Sequence, residues 1–489
     1  MLDFLHTFLT SERAVPWRAF SIALALRLLI VIIMRNMPIG LDDMFQYDML
    51  ARSILSGDGY RWYSQPDLYL LQSYFSTLNF QLPANYNPLG ILTSHRAPFY
   101  PLFLAVIYFF TGINDTRFFV VRLLQAVLGA ALAPLTYALA QRLFPARPHV
   151  ARLAALTVAC YPLLVIYPLA LATENLFFIL LLASVLTLAS TTDQSSQSRF
   201  MLAGFLLGLT ALTRSVITAF VGLAILWLFF MLKQRRGAIL LALVFIITIS
   251  PWVIRNSLLY GRITGIETSM GYNLYLGYHP QGTGTFAYGP SIDLFTILDD
   301  AERDRVGTQK ALEFIKADPG RVLPLMVYRL GHFFGLERRA LTYFYSNNFF
   351  GFIPQPLLIG ISILIFGPYL IVILSSAPGL AILKWENPAL LLPLVILGYT
   401  APHIILLAEE RFHYTLVPFF AILAALYWDM GFPALLATWK TSRPGKIAVT
   451  LAALTVCLLL LNFGYEFLRD ADRLALLLGP NGNNTRFPY

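Results

Sequence analysis

Long runs of apolar residues recur along the whole chain, and polar stretches of very different lengths separate them. An apolar run of about 18 residues or more can cross the hydrocarbon core of a bilayer as a helix. Because a spanning segment must satisfy its backbone hydrogen bonds internally, these runs predict helices. We therefore expect an all-α polytopic membrane protein with about eleven transmembrane helices. The predicted spans cover about 20–34, 118–141, 150–168, 173–190, 200–213, 216–232, 237–254, 353–375, 388–406, 414–430 and 446–465.

Composition agrees with a membrane protein. Of the 489 residues, 57% are hydrophobic and only 12% are charged, whereas about 25% is usual in soluble domains. The net charge of +9 does not indicate nucleic-acid binding, because Lys and Arg gather in the cytoplasmic loops of membrane proteins. Cys160 and Cys457 both lie inside apolar runs, which favours buried thiols over a disulfide or a metal pair.

The distribution of Lys and Arg predicts the orientation. Arg13 and Arg18 precede the first span and place the N-terminus in the cytoplasm. The apolar segment 98–110 is short for a span, which takes about 20 residues. If that segment is an interfacial or re-entrant helix, the later basic loops all fall inside, as the positive-inside rule favours. Two long outside loops then cover 35–117 and 255–349.

The two outside loops carry their own patterns. Helical spacing of apolar residues over 47–55 predicts a short amphipathic helix on the membrane surface. A second helix is predicted over 299–318 and an interfacial apolar segment over 322–334. The segment 271–277 is rich in aromatic residues and is followed by the Pro- and Gly-containing segment 279–284, which together predict a turn-rich loop.

Charged and titratable residues gather on the predicted outer side, close to the ends of spans or interfacial helices. Arginine binds phosphate oxygens with a charge that does not titrate, and a carboxylate can accept a proton from an incoming hydroxyl. Together they predict a site for an anionic lipid-phosphate substrate. The residues of this outer set are Asp42, Asp43, His95, Arg96, Glu174, Arg214, Arg255, Glu409, Glu410, Arg411 and His413.

Each of these residues also has a structural alternative. An aspartate of the 42–43 pair can cap the helix that follows. His95 and Arg96 can extend toward the membrane–water interface. Glu174 can interact favourably with the dipole of the helix that it begins. The 409–411 segment can neutralise its own charges. No spacing predicts a metal site, and His95 near the acids is only a weak candidate.

The order and spacing of several short motifs resemble the GT-C class of integral-membrane glycosyltransferases. The specific likeness is to the bacterial branch related to protein O-mannosyltransferases and the aminoarabinose transferase of lipid A. The matching residues are Asp43 followed by Tyr47 and Ala51, Arg96 before Pro98, Thr173–Glu174, Pro251–Asn256, Gly271–Gly277, and Glu410–Phe412 followed by Pro418.

The chain also departs from the family pattern. Met44 stands where the family has a second acid, so Asp42 or no residue takes that place. In the aminoarabinose transferases an acid that can hold a metal precedes the basic residue, whereas this chain has His95 there. The resemblance therefore leaves a divalent metal possible and implies no certain cofactor.

The resemblance implies transfer of a hexosyl or pentosyl group from a polyprenyl-phosphate donor to a hydroxyl of a lipid, glycan or protein. It implies no nucleic-acid partner. The reaction would invert the anomeric centre at the outer face of the cytoplasmic (inner) membrane, within a bacterial cell envelope. Its implied residues are Asp43 as the catalytic acid–base group; Asp42 and Glu174 as possible second acids; Arg96, Arg214 and Arg411 for the lipid phosphate; and Tyr47, Tyr272, Asn273 and Glu410 for substrate.

A GT-C-like catalytic module is predicted over 1–430, with a C-terminal span and tail over 431–489. Two other classes of protein remain open: a transporter or flippase of lipid-linked glycans, and a ligase that attaches a whole polymer. A transporter more often has its charges and broken helices near the midplane, whereas the charges here lie at one face.

Overall fold

The computed structural model describes residues 11–40, 42–72, 85–191, 196–294 and 296–485. Within these ranges the chain is mainly helical. Part of the predicted first outside loop, residues 73–84, lies outside the described ranges.

The helices are α1 (Val15–Ile33), α2 (Asp43–Leu55), α3 (Gln65–Leu70), α4 (Phe99–Thr111), α5 (Thr116–Leu143), α6 (Pro148–Cys160), α7 (Pro162–Ile166), α8 (Glu174–Ala189), α9 (Gln197–Thr213), α10 (Thr218–Leu226), α11 (Arg235–Tyr260), α12 (Met270–Tyr278), α13 (Tyr288–Ile292), α14 (Asp300–Ala317), α15 (Val322–Phe333), α16 (Arg339–Ser346), α17 (Gln355–Ile382), α18 (Leu391–Ile405), α19 (Val417–Thr441), α20 (Arg443–Arg469) and α21 (Ala471–Leu477). Strands β1 (Arg61–Trp62) and β2 (Ile91–Leu92) pair antiparallel.

Several helices are long and apolar enough to cross a membrane, which confirms an all-α polytopic membrane protein. The described residues contain 6 such helices, or up to 7 if a pair bent by 53° at residue 161 is one span. The predicted number of about eleven is not confirmed, because α8, α10 and α18 are shorter apolar helices. The long helices are Glu12–Ile33, Thr116–Leu143, Arg235–Tyr260, Gln355–Ile382, Glu410–Thr441 and Arg443–Arg469.

Small residues let the spans approach one another closely. In α1, Ala19 and Ala23 are buried against the bundle. An added Cβ at Gly379 of α17 would lie 2.0 Å from the carbonyl oxygen of Leu423 in α19. Apolar burial adds little between helices that would otherwise face lipid, so such close packing supplies much of their attraction.

Two buried polar residues of α5 fix the loops at one end of the bundle. Arg122 donates hydrogen bonds to the carbonyl oxygens of Met37 at 2.6 Å and Leu169 at 3.0 Å. These carbonyls belong to the loops that lead into α2 and α8. Gln125 accepts a hydrogen bond from the Tyr100 hydroxyl at 2.7 Å. Since a buried donor without a partner costs about 1–3 kcal/mol, these bonds restrict where both loops can lie.

The first interfacial helix begins at Asp43, earlier than the predicted start at Tyr47. Asp42 supplies the reason, because its Oδ1 accepts the N–H of Met44 at 3.0 Å and caps the helix. Helix α4 packs against α2, with the rings of Tyr47 and Tyr100 edge to face at 5.2 Å. Helix α4 therefore supports the helix that carries the predicted catalytic aspartate.

The predicted turn-rich loop is wrong over 271–277, because Met270–Tyr278 is helical, and it is confirmed over 279–284, which contains turns and no helix. Gly271 allows close contact with α14 instead of forming a turn. A Cβ added to Gly271 would lie 1.8 Å from the carbonyl oxygen of Asp304, and one added to Gly307 would lie 2.6 Å from the carbonyl oxygen of Gly271. Sequence patterns show that glycine is present but not which neighbour requires it.

The helices that follow α12 agree more closely with the sequence predictions. Helices α14 and α15 confirm the helix predicted over 299–318 and the apolar segment predicted over 322–334. Helix α19 extends beyond the predicted end at residue 430, with a kink at Gly431, whose φ is 67°. Positive φ is accessible to glycine without steric cost.

Replacing Gly271 with Ala should separate α12 from α14 and lower the free energy of unfolding by about 1–3 kcal/mol. The measurement is the Tm of the purified protein. Gly289→Ala is the matched control, because an added Cβ there meets no atom within 4 Å. Equal Tm values for the two variants would contradict the close contact.

Candidate active site

One large cavity of about 2490 Å³ lies among the loops at the ends of the spans. Pockets for small molecules typically measure about 300–1,000 Å³, so this cavity suits a larger or composite ligand. Every residue to which the sequence assigned a role lies on its wall. These residues are Asp42, Asp43, Tyr47, His95, Arg96, Glu174, Arg214, Tyr272, Asn273, Glu410 and Arg411.

The Asp43 carboxylate lies between two guanidinium groups. Its Oδ1 forms a short ion pair with Arg96, and its Oδ2 accepts a hydrogen bond from Arg411 Nη1 at 3.1 Å. Gln46, which lies on α2 like Asp43, also fixes Arg96 by accepting a hydrogen bond from its Nε at 3.0 Å. Burial acts to raise the pKa of Asp43, but Arg96 and Arg411 outweigh it and hold that pKa well below its usual range. Asp43 is therefore a carboxylate at neutral pH.

The charge network continues away from Asp43 through the late loop. Arg411 Nε is ion-paired with Glu409 Oε2 at 3.0 Å. The same oxygen accepts a hydrogen bond from Arg339 Nη1 at 2.6 Å, and the backbone N–H of Arg339 donates to Glu410 at 3.0 Å. The 409–411 segment thus balances part of its own charge, as the structural alternative predicted, while Arg411 also reaches Asp43.

The two possible second acids lie on the same wall in different environments. Asp42 caps α2 through the Met44 N–H, and burial together with neighbouring Asp43 raises its pKa. Glu174 begins α8 and forms an ion pair with Arg214 at 2.5 Å. Glu174 thus has a guanidinium partner, whereas Asp42 contributes a helix cap.

Aromatic side chains form the wall beside Asp43. The guanidinium of Arg96 lies 5.4 Å from the Tyr47 ring centroid, and burial raises the pKa of Tyr47 to about 12. His95 lies between Trp62, at 5.4 Å between ring centroids, and Tyr272, at 5.8 Å. Tyr47 thus supports a phosphate-binding candidate, and the other rings offer faces on which a sugar can stack.

The residues around His95 do not fit a divalent cation. Burial, then Arg303 and Arg96, hold the pKa of His95 well below its usual value. Arginines also face both oxygens of Asp43, an acid on the same wall. Among the residues that the structure describes, no group of three or more His, Cys, Asp or Glu could hold a metal ion.

Two members of the predicted outer set do not line the cavity. Arg255 donates to the carbonyl oxygen of Thr93 at 2.6 Å. His413 is fully buried, with Nδ1 2.6 Å from the carbonyl oxygen of Phe333 and Nε2 3.0 Å from Glu337. Both residues connect segments behind the site.

Several wall residues were missed in the sequence. Arg338 and Arg339 line the cavity and lie in the predicted outside loop. The positive-inside rule disfavours adjacent arginines on that side, so their presence there could have indicated a functional role. Arg338 is ion-paired with Glu466 at 3.6 Å, so the predicted C-terminal segment 431–489 also reaches the cavity. Glu267 is a further wall residue, and no sequence pattern singles it out.

The family model of dolichyl-phosphate-mannose-protein mannosyltransferases matches residues 96–254. The matched region begins at Arg96 and contains Glu174 and Arg214. This match confirms the resemblance to the protein mannosyltransferase branch of GT-C glycosyltransferases. A comparison with curated protein sequences gives no match.

A comparison with solved structures also gives matches, and the three described next have TM-scores below 0.5. The Archaeoglobus fulgidus oligosaccharyltransferase AglB, in complex with an inhibitory peptide and a dolichol-phosphate, has a TM-score of 0.46 and 16% identity, covering 99% of this chain and 61% of that chain. The same organism's oligosaccharyltransferase in complex with Zn and sulfate gives 0.45 and 16%, covering 97% and 58%. ArnT from Cupriavidus metallidurans, bound to undecaprenyl phosphate, gives 0.38 and 12%, covering 85% and 78%. The chain thus spans only about three-fifths of the length of the oligosaccharyltransferases.

Asp43→Asn should lower Tm at pH 7, because Arg96 and Arg411 lose the charge that compensates them, at a cost of about 1–3 kcal/mol. A depressed folded-state pKa gives stability that is fully present above the unfolded-state value of about 3.9 and is lost as pH falls through the folded-state pKa. The Tm difference between wild type and variant should therefore shrink below about pH 4. Asp318→Asn, at an exposed position, is the control. A pH-independent difference would contradict the ionised Asp43.

Proposed function

We propose that the protein is an inverting glycosyltransferase that uses a polyprenyl-phosphate-linked sugar as donor. The Asp43 carboxylate between Arg96 and Arg411 is the observation that carries this proposal. The family matched over residues 96–254 is described by a lipid-phosphate-linked sugar, which supports the same donor class. The acceptor is a hydroxyl of a lipid, a glycan or a protein.

The arginines are proposed to bind the donor phosphate. A guanidinium has several N–H donors in a planar fork. The carboxylates occupy only some of these in Arg96, Arg214 and Arg411. As the bond from the sugar to phosphate breaks, negative charge grows on the leaving oxygen, and fixed guanidinium charges stabilise it.

Asp43 is proposed to orient the acceptor hydroxyl. Its depressed pKa makes it a weak base before reaction, so it first accepts a hydrogen bond from the hydroxyl. The acceptor oxygen bonds to the anomeric carbon as the carbon–phosphate oxygen bond breaks, which inverts that carbon. The hydroxyl proton moves to Asp43 and then to solvent as its oxygen becomes acidic. The products are the glycosylated acceptor, polyprenyl phosphate and one proton.

The remaining walls suit the other parts of these substrates. Apolar residues of α17 and α21, including Ile359, Ile363 and Leu474, line the cavity, and Ile363 is 66% exposed at the protein surface. This wall is proposed to take the prenyl chain. Tyr47, Tyr272, Asn273 and Glu410 are proposed to contact the sugar or the acceptor, with Glu174 and Asp42 as supporting acids.

The outer face of the cytoplasmic membrane is the proposed location of the cavity, with the N-terminus in the cytoplasm. Helix α5 has Arg122 near its cavity end and Arg142 near the other end, where the basic loop to α6 follows. The positive-inside rule supports placing that loop in the cytoplasm. The catalytic module is proposed to be 1–430, with 431–489 closing one side.

Asp43→Asn should reduce transfer by about a hundredfold or more, because it removes the group that orients the hydroxyl and takes its proton. The measurement is release of polyprenyl phosphate from a labelled polyprenyl-phosphate sugar in membranes. The variant should remain folded in the membrane by size-exclusion chromatography.

Asp42→Asn is the matched comparison, because asparagine caps a helix about as well as aspartate and the charge change is the same. This variant should retain most of the activity. Near-normal transfer by Asp43→Asn would overturn the assignment of Asp43, and loss of activity in both variants would make Asp42 a second essential acid.

Arg96→Gln should change the pH dependence of kcat/KM. The charge of Arg96 lowers the pKa of Asp43, so its removal should raise the pKa of that carboxylate and move the acidic limb to higher pH. In wild type, ionisation of Asp43 should be complete well below neutral pH. An unchanged acidic limb would show that Arg96 does not control the group that titrates.

A further inference from the structure

The carboxylate of Glu267 bridges two arginine-bearing loops. Its Oε1 accepts the backbone N–H of Ala97 at 3.2 Å. Its Oε2 accepts the backbone N–H of Ser215 at 3.0 Å and a short hydrogen bond from the Ser215 hydroxyl. Ala97 directly follows Arg96, and Ser215 directly follows Arg214. One side chain thus connects the main chains next to two of the proposed phosphate-binding residues.

The segment that carries Glu267 is itself fixed on both sides. Trp252 of α11 donates its indole N–H to the carbonyl oxygen of Ile266 at 3.0 Å. The backbone N–H of Thr268 donates to the carbonyl oxygen of Ser94 at 3.0 Å. Glu267 therefore projects from a segment joined to both a long helix and the Arg96 loop, and its position is restricted.

We infer that Glu267 is a positioning residue that sets the separation between Arg96 and Arg214. The inference rests on the proposed function, in which these arginines bind the donor phosphate. Glu267 acts through the main chain because both of its oxygens accept backbone N–H groups. In a site of this kind, a displacement of about 1 Å can cost a hundredfold in rate.

The chemistry of the bridge requires a carboxylate. It offers an acceptor oxygen to each loop, whereas an amide offers one oxygen and two donors. Gln at this position can accept from only one of the loops and directs N–H groups toward the other. Ala accepts from neither, and leaves the buried N–H of Ala97 without this partner.

The test uses the full-length protein with Glu267→Ala and Glu267→Gln. Glu313→Gln on α14 is the control, because Glu313 is exposed, does not line the cavity and undergoes the same charge change. Polyprenyl phosphate is the probe, and its Kd is measured directly. Glu267→Ala should raise Kd about tenfold, Glu267→Gln should raise it less, and the control should match wild type. The donor KM should rise with Kd, while the acceptor KM stays unchanged.

Amide hydrogen exchange without ligand tests the bridge independently of function. Peptides that contain Ala97 and Ser215 should exchange faster in Glu267→Ala than in wild type, with other peptides unchanged. Wild type that binds no polyprenyl phosphate would overturn the proposed function, and exchange would then decide whether the bridge exists. Unchanged Kd in both Glu267 variants, or an equal loss of donor and acceptor affinity with a lower Tm, would overturn the positioning role.

Discussion

The Asp43 carboxylate joins arginines that lie far apart in the chain, and the arrangement of the cavity depends on it. Arg96 and Arg411 would repel each other if no acid lay between them. Asp43 compensates both charges, and Arg411 also forms an ion pair with Glu409. Early and late segments of the chain therefore meet at one carboxylate, and the cavity forms around that meeting point.

Side chains that bond to the main chain hold this meeting point in place. Arg122 donates to carbonyl oxygens in the loops that precede the two acids Asp43 and Glu174. Glu267 accepts N–H groups in the loops that follow Arg96 and Arg214. The acid-bearing loops are thus fixed by a donor and the arginine-bearing loops by an acceptor. Each of these side chains satisfies buried backbone groups, and the hydrogen bonds order the loops.

Hydrophobic runs predicted the helical segments well, because burial in lipid leaves the backbone little choice. Loop charge alone predicted that Asp43 and Arg411 lie on one side of the bundle, and both line the same cavity. The helix over 271–277 was missed because Gly271 packs against α14 and Gly277 against Leu406, and both neighbours are distant in the sequence. Glu267 was missed for a related reason: its hydrogen bonds join three loops, and no local spacing records such a contact.

The constant charge of the Asp43, Arg96 and Arg411 group affects the conditions in which the site can work. Guanidinium groups stay protonated over the whole biological range, and Asp43 stays ionised because Arg96 and Arg411 oppose its protonation. At its proposed location on the outer face, the cavity is exposed to the pH of the medium around the cell. The group of Asp43, Arg96 and Arg411 therefore keeps the same charges as that pH changes, which a group based on histidine would not.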